Sequence, residues 1–445
     1  LCAGSRLGAG TCYAGRVPLP TILRAAGLTG ALPVIGAGFP WLARELFGFI
    51  PGALVSSLVL FAPPVLCLGA VVPYLVRADT ESLASVGRRA GDVSAAATAG
   101  SILGSFATGF VLLPAMPLTV LLGATAGALV LMALASRRIV PAGEGPEAER
   151  GDTARLTSAA LALPLLGVLA SGAPPDTLYR AETLYTSVAV TERTWAGGRV
   201  VRELWQNGGS SSAEYVEDGS PAHAYAVASL EILDSLALMP ERVLVLGGAA
   251  LTLPVAFERR DPSVRTDVVE IDPRVTELAA RYFAFGARER PGIRVVHDDG
   301  RLFLRRASER YDLVYLDVFD HLLTVPWTMV TREALTGMAD ALEPDGVFMA
   351  NVLSPLDGPG TAFLARFRAT LEAVFSDVRL YVTDSSTDRG ATQNLVVVAA
   401  VEPGTLPSLP WEDAPVAAAG APLTDGWAPV EYLQAKVFTQ GLRWR

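Results

Sequence analysis

At 445 residues the chain is too long for one ordinary core, so two or more domains are expected. It is 51% hydrophobic and only 18% charged, with a formal net charge of −9, which leaves no basic surface for nucleic acid. Three cysteines (Cys2, Cys12 and Cys67) make neither a disulfide framework nor paired metal-ligand spacing, and His223, His297 and His321 are scattered, so no metal is expected and a reduced, intracellular setting is favoured.

The composition is uneven along the chain. Residues 1–173 hold 11 arginines against 8 acids, whereas the remainder holds 25 basic against 37 acidic residues. An apolar, slightly basic first part is therefore joined to an acidic, soluble-looking second part. The opening "LCAGSRLGAG" lacks methionine and has no signal-peptide pattern, so a fragment or processed start is expected, with further membrane segments upstream.

In chain order, stretches apolar enough to cross a bilayer, which takes roughly 20 residues, fall at 20–43, 51–76, 93–114, 117–136 and 156–173. The second, "PGALVSSLVLFAPPVLCLGAVVPYLV", has no charge and is the strongest. Gly100, Gly104 and Ser105 share one helical face and predict close packing against another helix. Arg77, Arg88, Arg89, Arg137, Arg138, Arg150 and Arg155 flank alternate loops, which should be cytoplasmic. Five full crossings would put the second part outside the cell. Segment 156–173, which contains Pro164, is therefore read as re-entrant or surface-lying, leaving a multi-pass protein of the cell membrane with a cytoplasmic second part.

Residues 182–216 are rich in β-branched and aromatic residues, with turns at Gly197-Gly198 and Gly208-Gly209, and read as a small antiparallel lid. From 241 onward, short aliphatic runs at 243–247, 266–271, 293–297, 312–317, 346–352 and 394–400 alternate with helical spacing at 273–285, 300–308, 331–342 and 360–375. This alternation predicts an α/β Rossmann-like domain of parallel strands with helices on both faces, its ligand beyond the strands' carboxyl ends. The Pro- and Ala-rich stretch 404–425 reads as a linker. The expected domains are a transmembrane helical region at 1–173, a β-rich lid and connecting helix at 174–240, a nucleoside-binding catalytic domain at 241–402, and a linker with C-terminal tail at 403–445.

The stretch "VLVLGGAALTLP" at 243–254 reads as a buried strand entering a turn at Gly247 and Gly248. No third glycine of G-x-G-x-x-G follows, so a pyrophosphate-binding loop is not expected. Three acids fall at strand ends. Glu270 lies 22 residues after Gly248, a spacing suited to accepting both hydroxyls of a ribose. Asp299, followed by Gly300, can accept from an adenine amino group, and Asp317 stands opposite the reacting carbon. Such a set suits S-adenosylmethionine or its decarboxylated form, which have no phosphates to cradle. Each acid alone also fits an ordinary helix cap.

With "FAPPVLCLGAVVPYLVR", "GRRAGDVSAAATAGSILGSFATGFVLLP", "VVEIDPRVTELAARYF", "YDLVYLDVFD" and "LTDGWAPVEYL", the chain resembles the spermidine synthase family, specifically bacterial members with membrane helices fused ahead of the catalytic domain. The resemblance implies a polyamine aminopropyltransferase with decarboxylated S-adenosylmethionine as cosubstrate and no permanently bound cofactor. By position, Gly247, Gly248, Glu270, Asp299 and Gly300 would bind the nucleoside, Asp317 would take the proton of the attacking amine, and Tyr225 and Asp320 would bind the acceptor. The pattern departs at Ala250, where the family carries an acid for the aminopropyl nitrogen. It departs further at Leu251 and Thr252 (glycines there), at Ala226 and Val227 after Tyr225, and at Thr186 in place of a lid glutamine. The implied partners are a small-molecule amine and the lipid bilayer; a homo-oligomer is compatible with the sequence. Methyl transfer from S-adenosylmethionine, or a membrane transporter or scaffold whose appended domain only senses a nucleoside, are the competing readings.

Overall fold

The computed structural model describes residues 19–30, 32–35, 39–47, 49–78, 86–139, 176–319, 324–383, 388–407, 414 and 416–439. The chain divides into two compact units, Leu1–Gly172 and Ala173–Arg445.

The first unit is helical: α1 (Leu19–Gly30), α2 (Leu32–Ile35), α3 (Phe39–Phe47), α4 (Phe49–Gly69), α5 (Val71–Ala78), α6 (Val86–Ala107) and α7 (Leu118–Ile139). Over the expected span 20–43 the described residues are helical in α1, α2 and α3, and Ala31 and residues 36–38 lie outside the described residues. Two helices are long and apolar enough to cross a membrane: Pro51–Val76, with mean hydropathy 2.2, and Val86–Ala115, with 1.6. The first carries Pro63 and Pro64 inside α4. The second continues from α6 through a π turn at Thr108–Leu112. Within α7 the apolar stretch is the shorter Val120–Met132. Gly27 of α1 lies so close to α7 that a Cβ there would meet Val130 Cγ2 at 2.6 Å. By contrast, Gly100 and Gly104 have open space around them, so the packing partner expected for their face is not among the described residues. Segment 156–173, with Arg150 and Arg155, lies outside the described residues.

The second unit begins with a four-stranded antiparallel sheet, β1 (Thr177–Glu182), β2 (Ser187–Thr194), β3 (Val200–Gln206) and β4 (Gly209–Tyr215), in the order β1-β2-β3-β4. Then come α8 (Ala224–Ser235), β5 (Arg242–Leu246), α9 (Thr252–Arg260), β6 (Arg265–Val269), α10 (Pro273–Tyr282), β7 (Ile293–Val296), α11 (Gly300–Arg306), β8 (Tyr311–Leu316), α12 (Arg332–Asp340), β9 (Leu342–Ser354), α13 (Ala362–Glu372), β10 (Asp377–Val382), β11 (Gln393–Ala400) and α14 (Val430–Thr439). Seven strands form one sheet ordered β10-β11-β9-β8-β5-β6-β7. The strands from β9 to β7 in that order are mutually parallel, as expected, but the sheet is mixed: β11 runs antiparallel to both β9 and β10. The unexpected strand Asp377–Val382 and the run at 393–400 form a hairpin, and a hairpin must reverse direction.

Both faces of the sheet are covered, which explains its unbroken aliphatic runs. Leu244, Leu246, Phe348 and Val397 point to α12 and α13, meeting Leu335, Phe363 and Phe367. Val243, Val245, Tyr315 and Val398 point to the opposite face, meeting Ile232 of α8 and Phe257 of α9. The stretch 404–425, read as a linker, instead packs down: Leu406, Ala414, Val416 and Leu423 are buried, and Ala414 N–H donates to the Leu380 carbonyl. The burial is partial, since Ala417, Ala418, Ala419 and Ala421 of the same stretch are exposed. Phe348 is fully buried and stacks on Phe375 at 5.2 Å between ring centroids. Phe348→Ala should therefore cost about 3–5 kcal/mol, read as a lower urea midpoint; an unchanged midpoint would contradict this packing.

Candidate active site

At the carboxyl end of β5 the chain turns sharply. Gly247 has φ +93°, and a Cβ there would lie 2.3 Å from the Asp317 carbonyl oxygen. Only glycine tolerates both the conformation and the approach. Ala249 and Leu251 also adopt left-handed conformations, with φ of 42° and 56°, at a cost of about 1–2 kcal/mol each. Leu251 N–H donates to the Gly248 carbonyl at 2.7 Å, and Glu270 holds the turn at Gly248 and Ala249. Its Oε2 accepts from Gly248 N–H (3.0 Å) and Ala249 N–H (3.1 Å), and its Oε1 accepts from Asp272 N–H (3.0 Å). Burial raises the Glu270 pKa above the usual carboxylate value, while these three backbone donors oppose the shift. A carboxylate offers about four acceptor positions, so about one remains for a ligand hydroxyl instead of the expected pair.

The other strand ends follow the same logic. Asp299 caps α11, its Oδ1 accepting from Leu302 N–H at 3.0 Å, which leaves its second oxygen free for the cavity. The neighbouring Asp298 is spent on Arg306 and on the Asp299 N–H. After β8, Asp317 receives Tyr225 OH on Oδ2 (2.9 Å) and Asn351 Nδ2 on Oδ1 (3.1 Å). Asn394 Nδ2 in turn donates to Asn351 Oδ1 at 2.8 Å, which fixes the Asn351 amide with its nitrogen toward the acid. Burial pushes the Asp317 pKa up to about 6, against the lowering effect of these two donors. Burial also raises the Tyr225 pKa well above 10, so its hydroxyl stays a donor.

Gly247, Glu270, Asp299, Gly300, Tyr225 and Asp317 all line one cavity of about 820 Å³. Asp320 and His321 lie outside the described residues. Ala250, at the family's acid position, does not face the cavity. It is fully buried among Val188, Val190 and Leu204 of the small sheet, so this part of the loop has become an apolar contact. Thr186 does line the cavity. Among the described residues, no group of His, Cys, Asp or Glu side chains is gathered as metal ligands.

Several cavity residues were not anticipated from sequence: Asn351, Asn394, His223, and on the small sheet Arg193, Trp195, Glu203 and Trp205. The two asparagines had a visible signal. Each is an amide inside a strand otherwise made of buried aliphatic residues ("VFMANVL" and "QNLVVVAA"), where an uncompensated polar group is costly. The small-sheet residues had none, because alternation assigns faces but not which face meets the cavity.

Residues 230–385 match the spermine/spermidine synthase domain family. A polyamine aminopropyltransferase of Vibrio vulnificus is 36% identical over 118 residues, covering 26% of this chain and 38% of that protein. Polyamine aminopropyltransferase 2 of Pseudomonas aeruginosa is 32% identical over 216 residues, covering 46% of this chain and 57% of that protein. The chain thus spans well under two thirds of the length of either relative. Among solved structures, spermidine synthase from Thermotoga maritima has a TM-score of 0.42 at 21% identity, with 52% of this chain and 75% of that chain covered. Within the matched residues the glycine loop and the β8 acid stand in backbone contact. Gly247→Ala should therefore displace the Asp317 backbone and lower the thermal midpoint by several degrees. A variant that melts with the parent would show that the loop has room to spare.

Proposed function

We propose that the unit Ala173–Arg445 is an aminopropyltransferase that moves the aminopropyl group of decarboxylated S-adenosylmethionine onto an amine acceptor. The observation that carries this reading is the convergence of Glu270, Asp299 and Asp317 on one cavity. Glu270 takes a ribose hydroxyl with its remaining acceptor position, and Asp299 takes the adenine amino group with its free oxygen. Gly247 and Gly300 line the cavity and allow the nucleoside to approach the backbone, whereas Gly248 faces Val268 and the Glu270 side chain and is not part of the lining.

The sulfonium donor supplies a good leaving group, so the protein's task is to present a neutral amine nitrogen to the propyl carbon. An alkylammonium has a pKa of about 10.4 and must lose a proton to attack. Asp317, ionised above about pH 6, pairs with the ammonium and takes that proton, which frees the nitrogen lone pair to form the new C–N bond. The C–S bond breaks with its electron pair left on sulfur, releasing methylthioadenosine. Tyr225 and Asn351 orient the carboxylate and leave its remaining lone pairs for the amine. Positioning in a partly closed cavity supplies the rest.

The first unit is proposed to anchor the enzyme. The helices Pro51–Val76 and Val86–Ala115, of 26 and 30 residues, exceed the roughly 20 needed to span hydrocarbon, and α6 buries none of its residues within the chain. The proposed site is a multi-pass position in the cell membrane with the catalytic unit facing the cytoplasm. A cysteine introduced at Asp176 should then label only in permeabilised cells; labelling of intact cells by an impermeant reagent would reverse the orientation.

One observation favours the competing methyl transfer from S-adenosylmethionine: the apolar Ala250 offers no charge to an aminopropyl nitrogen. Calorimetry of the full chain with both donors separates the two. Tighter binding of the decarboxylated donor is expected, and a preference for the carboxylated donor would favour methyl transfer. The rate should fall about tenfold per pH unit below about pH 6 as Asp317 protonates, and Asp317→Asn should lose at least 100-fold in kcat with little change in methylthioadenosine affinity. A pH-independent rate down to pH 5, or an active Asp317→Asn variant, would remove Asp317 from the proton step.

A further inference from the structure

The wall that leads away from Asp317 is built of aromatic rings. Tyr225 stacks on His223, with ring centroids 5.8 Å apart, and His223 meets Trp195 at 6.0 Å. These rings line the same cavity as Asp317, with Trp205 beyond them. Both indole N–H groups are already used, Trp205 Nε1 on Thr191 Oγ1 at 3.0 Å and Trp195 Nε1 on Glu203 at 3.4 Å. What the indoles offer a ligand is therefore ring surface.

Glu203 is the carboxylate on this wall, and it is committed. It is 1% exposed and accepts from Arg193 Nε (2.5 Å) and Nη2 (3.2 Å), from Trp195 Nε1, and from Ser210 Oγ (2.9 Å). Four donors on two oxygens leave no acceptor position for a distal ammonium. The half-exposed Arg193 guanidinium, which also lies over the Trp205 ring at 5.6 Å, neutralises Glu203, so the pair brings no net negative charge to this wall. His223, whose pKa is lowered by burial, is neutral near pH 7 and bonds Ser210 Oγ at 3.1 Å, so it presents a flat uncharged face.

We infer that the acceptor carries one ammonium group, seated at Asp317, and a flat unsaturated body that lies along Tyr225, His223 and Trp195. The inference rests on the transferase reading above and narrows its acceptor to an arylalkylamine. The full chain in lipid nanodiscs, saturated with methylthioadenosine, is titrated with tryptamine, butane-1,4-diamine and butylamine. Tryptamine should bind at least tenfold more tightly than either aliphatic amine. Trp195→Ala should erase most of that advantage, Trp195→Phe should keep it, and methylthioadenosine binding by both variants shows that they are folded. Equal or tighter binding of the diamine, the result a working acid at Asp320 would give, overturns the inference, as does butylamine matching tryptamine. Failure of the unsubstituted chain to bind methylthioadenosine is a different outcome, because it removes the transferase reading itself.

Discussion

The approach of Gly247 to the carbonyl of Asp317 sets the geometry on which the rest of the second unit depends. At 2.3 Å from a would-be Cβ, the contact ties the end of β5 to the end of β8. These are the two strands where an open α/β sheet changes direction and a crevice forms. The loop behind it is costly, with two left-handed non-glycine residues, and the Glu270 carboxylate holds it from the next strand. One buried acid thus shapes the loop, and the loop in turn fixes how near the reacting acid can stand. Because Glu270 spends three acceptor positions on backbone donors, its first role is to build the floor of the cavity.

The acids beyond that floor divide by how much of their capacity is spent. Asp299 keeps an oxygen free while capping a helix, and Asp317 keeps lone pairs free while held by a phenol and an amide. Glu203 keeps nothing. The acids proposed to meet the nucleoside and the amine therefore keep acceptor positions free, and the acid on the aromatic wall does not. The same trend appears at Ala250, where the position for an acid has been given to apolar packing against the small sheet.

Much of this was legible in the sequence because the signals are local. Aliphatic runs of four or five residues announced six strands, and acids directly after Val269 and Leu316, and three residues after Val296, lie at a carboxyl edge by construction. Non-local features stayed hidden. The strand Asp377–Val382 reads "DVRLYV", with alternation too short to separate from the preceding helix, and its pairing with β11 reverses direction through a connection that composition does not reveal. The linker reading of 404–425 failed for a related reason: proline and alanine mark an absence of regular structure, and burial is decided by what lies alongside. The hydrogen-bonded chain from Asn394 through Asn351 to Asp317 joins three strands and 77 residues of sequence, far beyond any spacing rule.

The account stands or falls on whether one adenosine-bearing ligand reaches all three strand-end acids at once. A structure of the full chain with methylthioadenosine measures this directly. The predicted density has a ribose hydroxyl on Glu270, the adenine amino group on Asp299, and the sulfur turned toward Asp317. A nucleoside bound elsewhere, or one whose sulfur points away from Asp317, would contradict it.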